Sequence, residues 1–279
     1  MTEQHNRSVK DRQYFDLPFG LSEINHLYGD KYHLLASPYL NTMLARLGDP
    51  IAMQPMLNIY VHKLYLSLLH VVMNLSFPKK EVAIDTRMRV HSPEGIFRGE
   101  LLDRDTRVIC VDLARAGTYP THICFDELNY LFNPTLLRQD HYYLNRRVNN
   151  KGEVVGVDVS GSKIGGDQEG AFVLFPDPMG ATGGSISNAI SYYKEKVPGV
   201  ALRYIALHLV ITPEYIARMK KDHPDVEVFA IRLDRGLSDP SVLSTIPGTH
   251  PEKEKGLNDK HYIVPGLGGV GEILNNSFV

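Results

Sequence analysis

Phe172-Val173-Leu174-Phe175-Pro176-Asp177-Pro178-Met179-Gly180-Ala181-Thr182-Gly183-Gly184-Ser185 is the stretch whose reading decides the fold. A short apolar run, 171–175, ends in an acid, Asp177. A small-residue loop, 180–185, follows, and an amphipathic stretch begins at Ile186. The order is strand, loop, helix start. Glycines at 183 and 184 remove side chains, so backbone N–H groups can approach an anion. Thr182 and Ser185 add hydroxyl donors, and the helix start points its positive end at the same spot. Asp177, beside an anion, is suited to hydroxyl groups such as those of a ribose, or to a metal ion. A phosphate cradle next to such an acid implies a ribose-phosphate ligand. A lone Gly-Gly pair would mean only steric fit between strand and helix. The dinucleotide pattern Gly-x-Gly-x-x-Gly is absent here, as is Gly-Lys-Ser/Thr.

Working outward, the same alternation repeats. The continuous apolar run 106–113 reads as a strand inside a parallel sheet. A helix is expected from about residue 118 to 131. After the 171–175 strand and the 185–196 helix come a strand at 201–211, a helix at 213–221 and a strand at 226–233. This predicts an α/β fold with a doubly wound, mostly parallel sheet, its ligand at the carboxyl ends of the strands. Upstream, helices are expected at 34–47, with Pro38 in its first turn, and at 53–77. A strand is expected at 81–90, before the turn Ser92-Pro93-Glu94-Gly95. Residues 1–20 read as an N-terminal arm and 21–279 as one domain. Within it, 138–170 is a polar, glycine-rich excursion read as a flap over a site, and 234–279 forms a hood. The charge cluster at 251–255 reads as a solvated loop, and the histidines, His208 within a strand among them, read as core or surface residues.

The 279 residues carry a net charge of −2, so neither nucleic acid nor an anionic membrane is an expected partner. The most apolar segment, 56–77, is broken by Asn58, His62, Lys63, Ser67, His70 and Asn74, and reads as an amphipathic core helix. Cys110 and Cys124 sit in apolar contexts and read as buried thiols. The polar stretch 1–16 lacks a secretory apolar core, which predicts a cytoplasmic location.

Two further motifs accompany the loop. Leu113-Ala114-Arg115-Ala116-Gly117 sets a guanidinium fork between small residues just after a buried strand, where its planar donors suit phosphate or pyrophosphate. Tyr262-Ile263-Val264-Pro265-Gly266-Leu267-Gly268 is an apolar run that breaks into a glycine-rich loop. Main-chain groups there can meet the donor and acceptor edge of a flat base.

Together these segments resemble those of the uracil phosphoribosyltransferases. The acid-Pro-Met-x-Ala-Thr-Gly-Gly-Ser loop is similar to their ribose-5-phosphate loop, the 113–117 segment to their Leu-Arg-Ala-Gly, and 262–268 to their uracil loop. The resemblance extends over roughly residues 30 to 276. It implies transfer of ribose 5-phosphate from phosphoribosyl pyrophosphate to N1 of uracil, giving UMP and pyrophosphate, with Mg²⁺ brought mainly by the substrate. It further implies a homodimer or higher homo-oligomer. Asp177 and Arg115 are the implied catalytic residues. Residues 177–185, with Arg115 and Arg147, would bind phosphoribosyl pyrophosphate. Ile263, Gly268, Gly269 and Val270 would bind uracil. In the flap, Arg146, Arg147 and Lys163 are basic where the family has an arginine and a lysine. The chain departs from the family at Gly269, where an acid is usual, while Glu272 keeps the second acid. That departure motivates an alternative: a catalytically weak or inactive nucleotide-binding regulatory homologue on the same fold.

Overall fold

The computed structural model describes residues 11–148 and 154–277, and for 144–148 and 154–160 the backbone alone. In chain order the elements are β1 (Tyr32–Leu34), α1 (Pro38–Leu47), α2 (Met56–Ser76), β2 (Lys79–Asp85), β3 (Ile96–Leu102), β4 (Val108–Ala114), α3 (Thr118–Leu131), β5 (Leu137–Val148) and β6 (Val154–Lys163). They continue with β7 (Phe172–Pro176), β8 (Met179–Gly180), α4 (Gly184–Lys196), β9 (Arg203–Ile211), α5 (Pro213–Asp222), β10 (Glu227–Leu233), α6 (Pro240–Leu243) and α7 (Val270–Ile273).

The central sheet runs β1-β10-β9-β7-β4-β5-β6, and the short β8 adds to β9. All its pairings are parallel except β5 with β6. From β4 the chain moves one way to β5. From β7 it moves the other way, to β9 and β10. The winding therefore reverses between β4 and β7, and the crevice above their carboxyl ends is where such sheets take ligands. Arg115 follows β4 directly and Asp177 follows β7 directly.

Both sheet faces are covered, which is why the inner strands are apolar throughout. Val108, Cys110, Phe172, Leu174, Leu207 and Phe229 pack with α1, α2 and α3. Ile109, Val111, Val173, Phe175, Ala206 and Val228 pack with α4 and α5 on the opposite face. Helix α2 is long and apolar enough to cross a membrane. Leu57, Val61, Leu64, Tyr65, Leu68, Leu69, Val72 and Met73 nevertheless form its buried stripe, each fully buried side chain worth roughly 2 kcal/mol. Helices α1 and α5 start as their sequences dictate. Ser37 and Thr212 cap the amides of Leu40 and Tyr215, and Pro38 and Pro213 take the first helical position. Cys110 and Cys124 are buried free thiols.

Several expectations need correction. Residues 32–34 extend as an edge strand on β10, so the first helix starts at Pro38 rather than 34. The strand expected at 81–90 spans 79–85 and then tightens into a 3₁₀ turn, Arg87–Val90. Its antiparallel partner β3 was not anticipated. β2 is largely exposed and β3 mostly half-buried, so neither shows the alternation that marks a strand with one buried face. The excursion from 138 begins as a strand of the central sheet, β5, before pairing with β6. Its polar composition hid this because Asp140 is buried yet satisfied, accepting from Arg138 Nε at 2.9 Å, Gly165 N at 2.8 Å and Tyr193 Oη at 2.7 Å. The 251–255 cluster is not simply solvated. Glu254 is buried, pairs with Arg235 at 2.8 Å and accepts from Gly248 N and the Tyr28 hydroxyl.

Candidate active site

The Asp177 loop leaves β7 and turns into α4. Its underside rests on the β9–α5 junction. The Asp177 amide donates to Leu207 O at 3.0 Å, Thr212 N donates to Gly180 O at 3.1 Å, and Thr212 Oγ1 donates to Ala181 O at 2.7 Å. A side chain at Gly180 would meet Ile211 Cγ2 at 2.8 Å and the Tyr215 ring at 3.0 Å, so only glycine lets the loop sit this close. Gly183 has φ +73° and stands at the N-cap of α4 with no side-chain cap. The amides of Thr182, Gly183 and Ser185 have no acceptor among the described residues, and Gly184 N meets only Thr182 Oγ1 at 3.4 Å. Thr182 is exposed, and Gly184 and Ser185 are half-buried. The loop is thus pinned from below, buried at Gly183 and accessible at Thr182, Gly184 and Ser185, where amides without acceptors and the start of a helix suit an anion.

The underside also holds a residue the sequence reading passed over. His208, in the middle of β9, is fully buried. Its Nδ1 lies 2.5 Å from Asp177 O and its Nε2 2.7 Å from the Tyr215 hydroxyl. Burial pushes its pKa down to about 4. The available signal was a histidine alone in the apolar run Ile205 to Ile211, since a buried polar ring requires partners.

Arg115 is exposed at the end of β4, and its Nη1 donates to Ser277 Oγ at 2.7 Å. The turn behind it is tight. A side chain at Gly117 would fall 2.9 Å from Leu113 O and 3.0 Å from Pro176 O, so this turn lies directly against the end of β7.

The C-terminal loop is hung from β10. Asp234 is buried, takes two hydrogen bonds from Arg232 at 2.5 and 2.7 Å, and accepts from Gly266 N at 2.8 Å. Arg232 also donates to Gly266 O at 3.1 Å. Val264 uses both its backbone groups, with Gly256 and Gly236. Ile263 is buried, whereas Gly268 is exposed with φ +76°. The amides of Leu267, Gly268 and Gly269 have no acceptor among the described residues. Val270 differs: its amide donates to Gly268 O at 3.0 Å and its side chain is core. From there α7 crosses to β4, where a side chain at Gly271 would sit 3.2 Å from Ala116 Cβ. The tail therefore starts above β10 and ends above β4. On its way it packs on the α1–α2 connection, where a side chain at Gly48 would meet Leu267 at 3.0 Å and Gln54 Nε2 donates to Leu274 O at 2.9 Å.

These contacts set the Arg115 turn against the end of β7, from which the 177–185 loop leaves, and against α7, into which the 263–270 loop runs. The backbones of Arg146 and Arg147 belong to β5, opposite Val157 and Gly156. Their side chains, and residues 149–153, lie outside the described residues. Among the described residues no three His, Cys, Asp or Glu gather as a metal cage.

The uracil phosphoribosyltransferase family profile matches residues 34–249, most of the chain. The chain belongs to the uracil phosphoribosyltransferase family. A uracil phosphoribosyltransferase of Dictyoglomus thermophilum is 28% identical over 218 residues, covering 75% of this chain and 81% of that protein. Uracil phosphoribosyltransferases of Shouchella clausii and Thermococcus kodakarensis are 38% and 35% identical over shorter stretches. There the chain spans 43% and 34% of the relatives' lengths. Among solved structures, the AQ2163 protein of Aquifex aeolicus superposes with a TM-score of 0.63 at 21% identity, over 87% of this chain and 97% of that one. The fold is the type I phosphoribosyltransferase fold, mixed α/β with a mostly parallel sheet, and this family member carries its loops at the β4–β7 reversal.

Proposed function

We propose that this chain transfers ribose 5-phosphate from phosphoribosyl pyrophosphate to N1 of uracil, releasing pyrophosphate and forming UMP. The observation that carries the reading is the meeting of the C-terminal loop with the Arg115 turn, through Gly271–Ala116 and Ser277–Arg115, over the carboxyl end of β7. A base held by the tail and a sugar phosphate held by the 177–185 loop then share one crevice.

In this reading the amides of Thr182 to Ser185 and the hydroxyls of Thr182 and Ser185 hold the 5-phosphate. Asp177 binds the ribose hydroxyls. Arg115, joined by Arg147, carries the charge of departing pyrophosphate. The C1–pyrophosphate bond breaks and the N1–C1 bond forms through an oxocarbenium-like transition state, and the N1 proton of uracil leaves to the departing pyrophosphate or to solvent. Positioning and charge stabilisation therefore supply the rate, without a protein nucleophile. The free amides of Leu267 to Gly269, beside Ile263, read the uracil edge. Mg²⁺ would arrive with the substrate, and Asp177 would be the carboxylate of the loop to face it. Bound, the ion neutralises pyrophosphate charge. The assay is UMP formation by purified protein from uracil and phosphoribosyl pyrophosphate, and its absence at saturating substrates would remove the reading.

The second reading, a weak or inactive regulatory homologue, is favoured by Gly269. A side chain there would meet Glu272 Oε2 at 2.6 Å, so the Glu272 carboxylate already borders the space an acid at 269 would take. The backbone, φ −79°, accepts any L-residue, and the end of Glu272 can swing away. Gly269→Asp is expected to raise kcat by about tenfold if the missing acid limits turnover. Unchanged steady-state rates would show that Glu272 suffices. We further propose assembly into a homodimer or higher homo-oligomer, supported by the exposed Ile84, Met88 and Val90 at the end of the β2–β3 hairpin.

A further inference from the structure

We propose that His208 is a positioning residue for the ribose-phosphate loop, setting the Asp177 backbone by a hydrogen bond that Tyr215 holds in one direction. The proposal rests on the reading of the 177–185 loop as the sugar-phosphate cradle, and goes beyond it by assigning work to a residue that touches no substrate.

The directions of the two bonds follow from chemistry. Asp177 O only accepts, so His208 Nδ1 must carry the proton. Burial keeps the ring neutral, so Nε2 has a lone pair and must accept. The Tyr215 hydroxyl, 2.7 Å away, is then the donor. Tyr215 thereby fixes the tautomer that the Asp177 carbonyl needs. Its ring is fully buried, lies edge-on to the imidazole at 4.7 Å, and sits against the underside of Gly180 and Gly183. The capping hydroxyl of Thr212, which holds Ala181 O, also accepts from the Tyr215 amide at 3.0 Å. One histidine, one tyrosine and one threonine thus carry the loop at Asp177, Gly180, Ala181 and Gly183.

A histidine kept only for packing would be replaced by leucine with little change in the loop. A leucine at 208 leaves Asp177 O without its buried donor and Tyr215 without its acceptor. The Asp177–Pro178 peptide then keeps its flanking bonds, Asp177 N on Leu207 O and Pro178 O on the amides of Leu209 and Val210, but loses the one that sets the tilt of its carbonyl, so the carboxylate and the following amides shift from the arrangement a sugar phosphate needs.

The test uses full-length wild type, His208→Leu, His208→Asn and Tyr215→Phe. It measures KM for phosphoribosyl pyrophosphate and for uracil, UMP affinity by calorimetry, and thermal unfolding. His208→Leu is expected to raise KM for phosphoribosyl pyrophosphate about tenfold while KM for uracil stays within about twofold. The asparagine amide can occupy the Nδ1 position, so His208→Asn is expected to recover most of the loss. Tyr215→Phe keeps the ring but not the donor, and is expected to raise the same KM about threefold. Should His208→Leu not fold, the asparagine and phenylalanine variants decide. The proposal is overturned if KM for phosphoribosyl pyrophosphate is unchanged across the folded variants. It is equally overturned if both substrates weaken alike in step with melting temperature. A wild-type protein that binds neither phosphoribosyl pyrophosphate nor UMP would instead sink the reading of the site. Normal wild-type turnover with insensitive variants sinks the inference alone.

Discussion

At Gly183 the backbone has φ +73°, and the stem of Arg218 and the Tyr215 ring both approach to 3.4 Å. An alanine there meets left-handed strain of about 1–2 kcal/mol. Gly183→Ala is therefore expected to lower unfolding free energy by about 1 kcal/mol and to raise KM for phosphoribosyl pyrophosphate several-fold, as read by denaturant titration and initial rates. Neither effect can be inferred from composition, but the Gly-Gly pair itself marked the position. His208 gives the opposite lesson. Its letter carried no signal beyond being polar in an apolar strand, and its partners came from 31 residues upstream and 7 downstream. Its folded pKa, about 4, lies below the ordinary 6.5. The unfolded chain therefore binds more protons between those values. Its contribution is complete above about pH 6.5 and is lost as pH falls toward 4, about 3 kcal/mol in all. His208→Leu should flatten the stability profile between pH 7 and 4.5, measured by urea unfolding. A slope equal to wild type would contradict the assignment.

At the scale of elements, the strand–loop–helix units were legible because their local signals agree. Pro213 after Thr212, the apolar run into Asp177 and the periodicity of α2 each specify one element without help from the rest. Elements whose stability is borrowed from neighbours were not legible. β1 is three residues long and exists because β10 offers an edge. β5 looks polar because its buried acid is satisfied by Arg138 two residues before it and by Gly165 and Tyr193 from outside the strand. The C-terminal loop is of this second kind. Asp234 and Arg232 tie it to the end of β10 at Gly266, beside the Val264 bonds to Gly236 and Gly256. Asp234→Ala leaves the Arg232 cation without its partner and Gly266 N without an acceptor, a loss of about 3 kcal/mol. The expected kinetic result is a KM for uracil raised at least about tenfold, with KM for phosphoribosyl pyrophosphate affected less. An equal rise in both would mean that the tether serves the whole crevice.

For the molecule as a whole, the decisive contact joins segments far apart in the chain. Gly271 of the tail rests on Ala116 of the β4 turn, 3.2 Å from where a side chain would begin. Gly271→Val should act as a wedge that lifts the tail from the Arg115 turn. We expect kcat/KM to fall at least about tenfold while unfolding free energy stays within about 1 kcal/mol, since α7 has one turn and a small buried face. Retained activity would mean the crevice closes without this contact. By itself the sequence determined the alternation of inner strands and helices from β7 to β10, their apolar character and the three segments to which chemistry is proposed. Each of those is specified by neighbours a few residues away, through caps, periodicity and backbone freedom. Only the tertiary structure decided that the tail reaches the Arg115 turn, that His208 and Tyr215 hold the loop from beneath, and that Glu272 borders the space beside Gly269. Those facts depend on the order in which strands lie side by side, and hydrogen bonds across a sheet leave no periodic trace in the residues that make them.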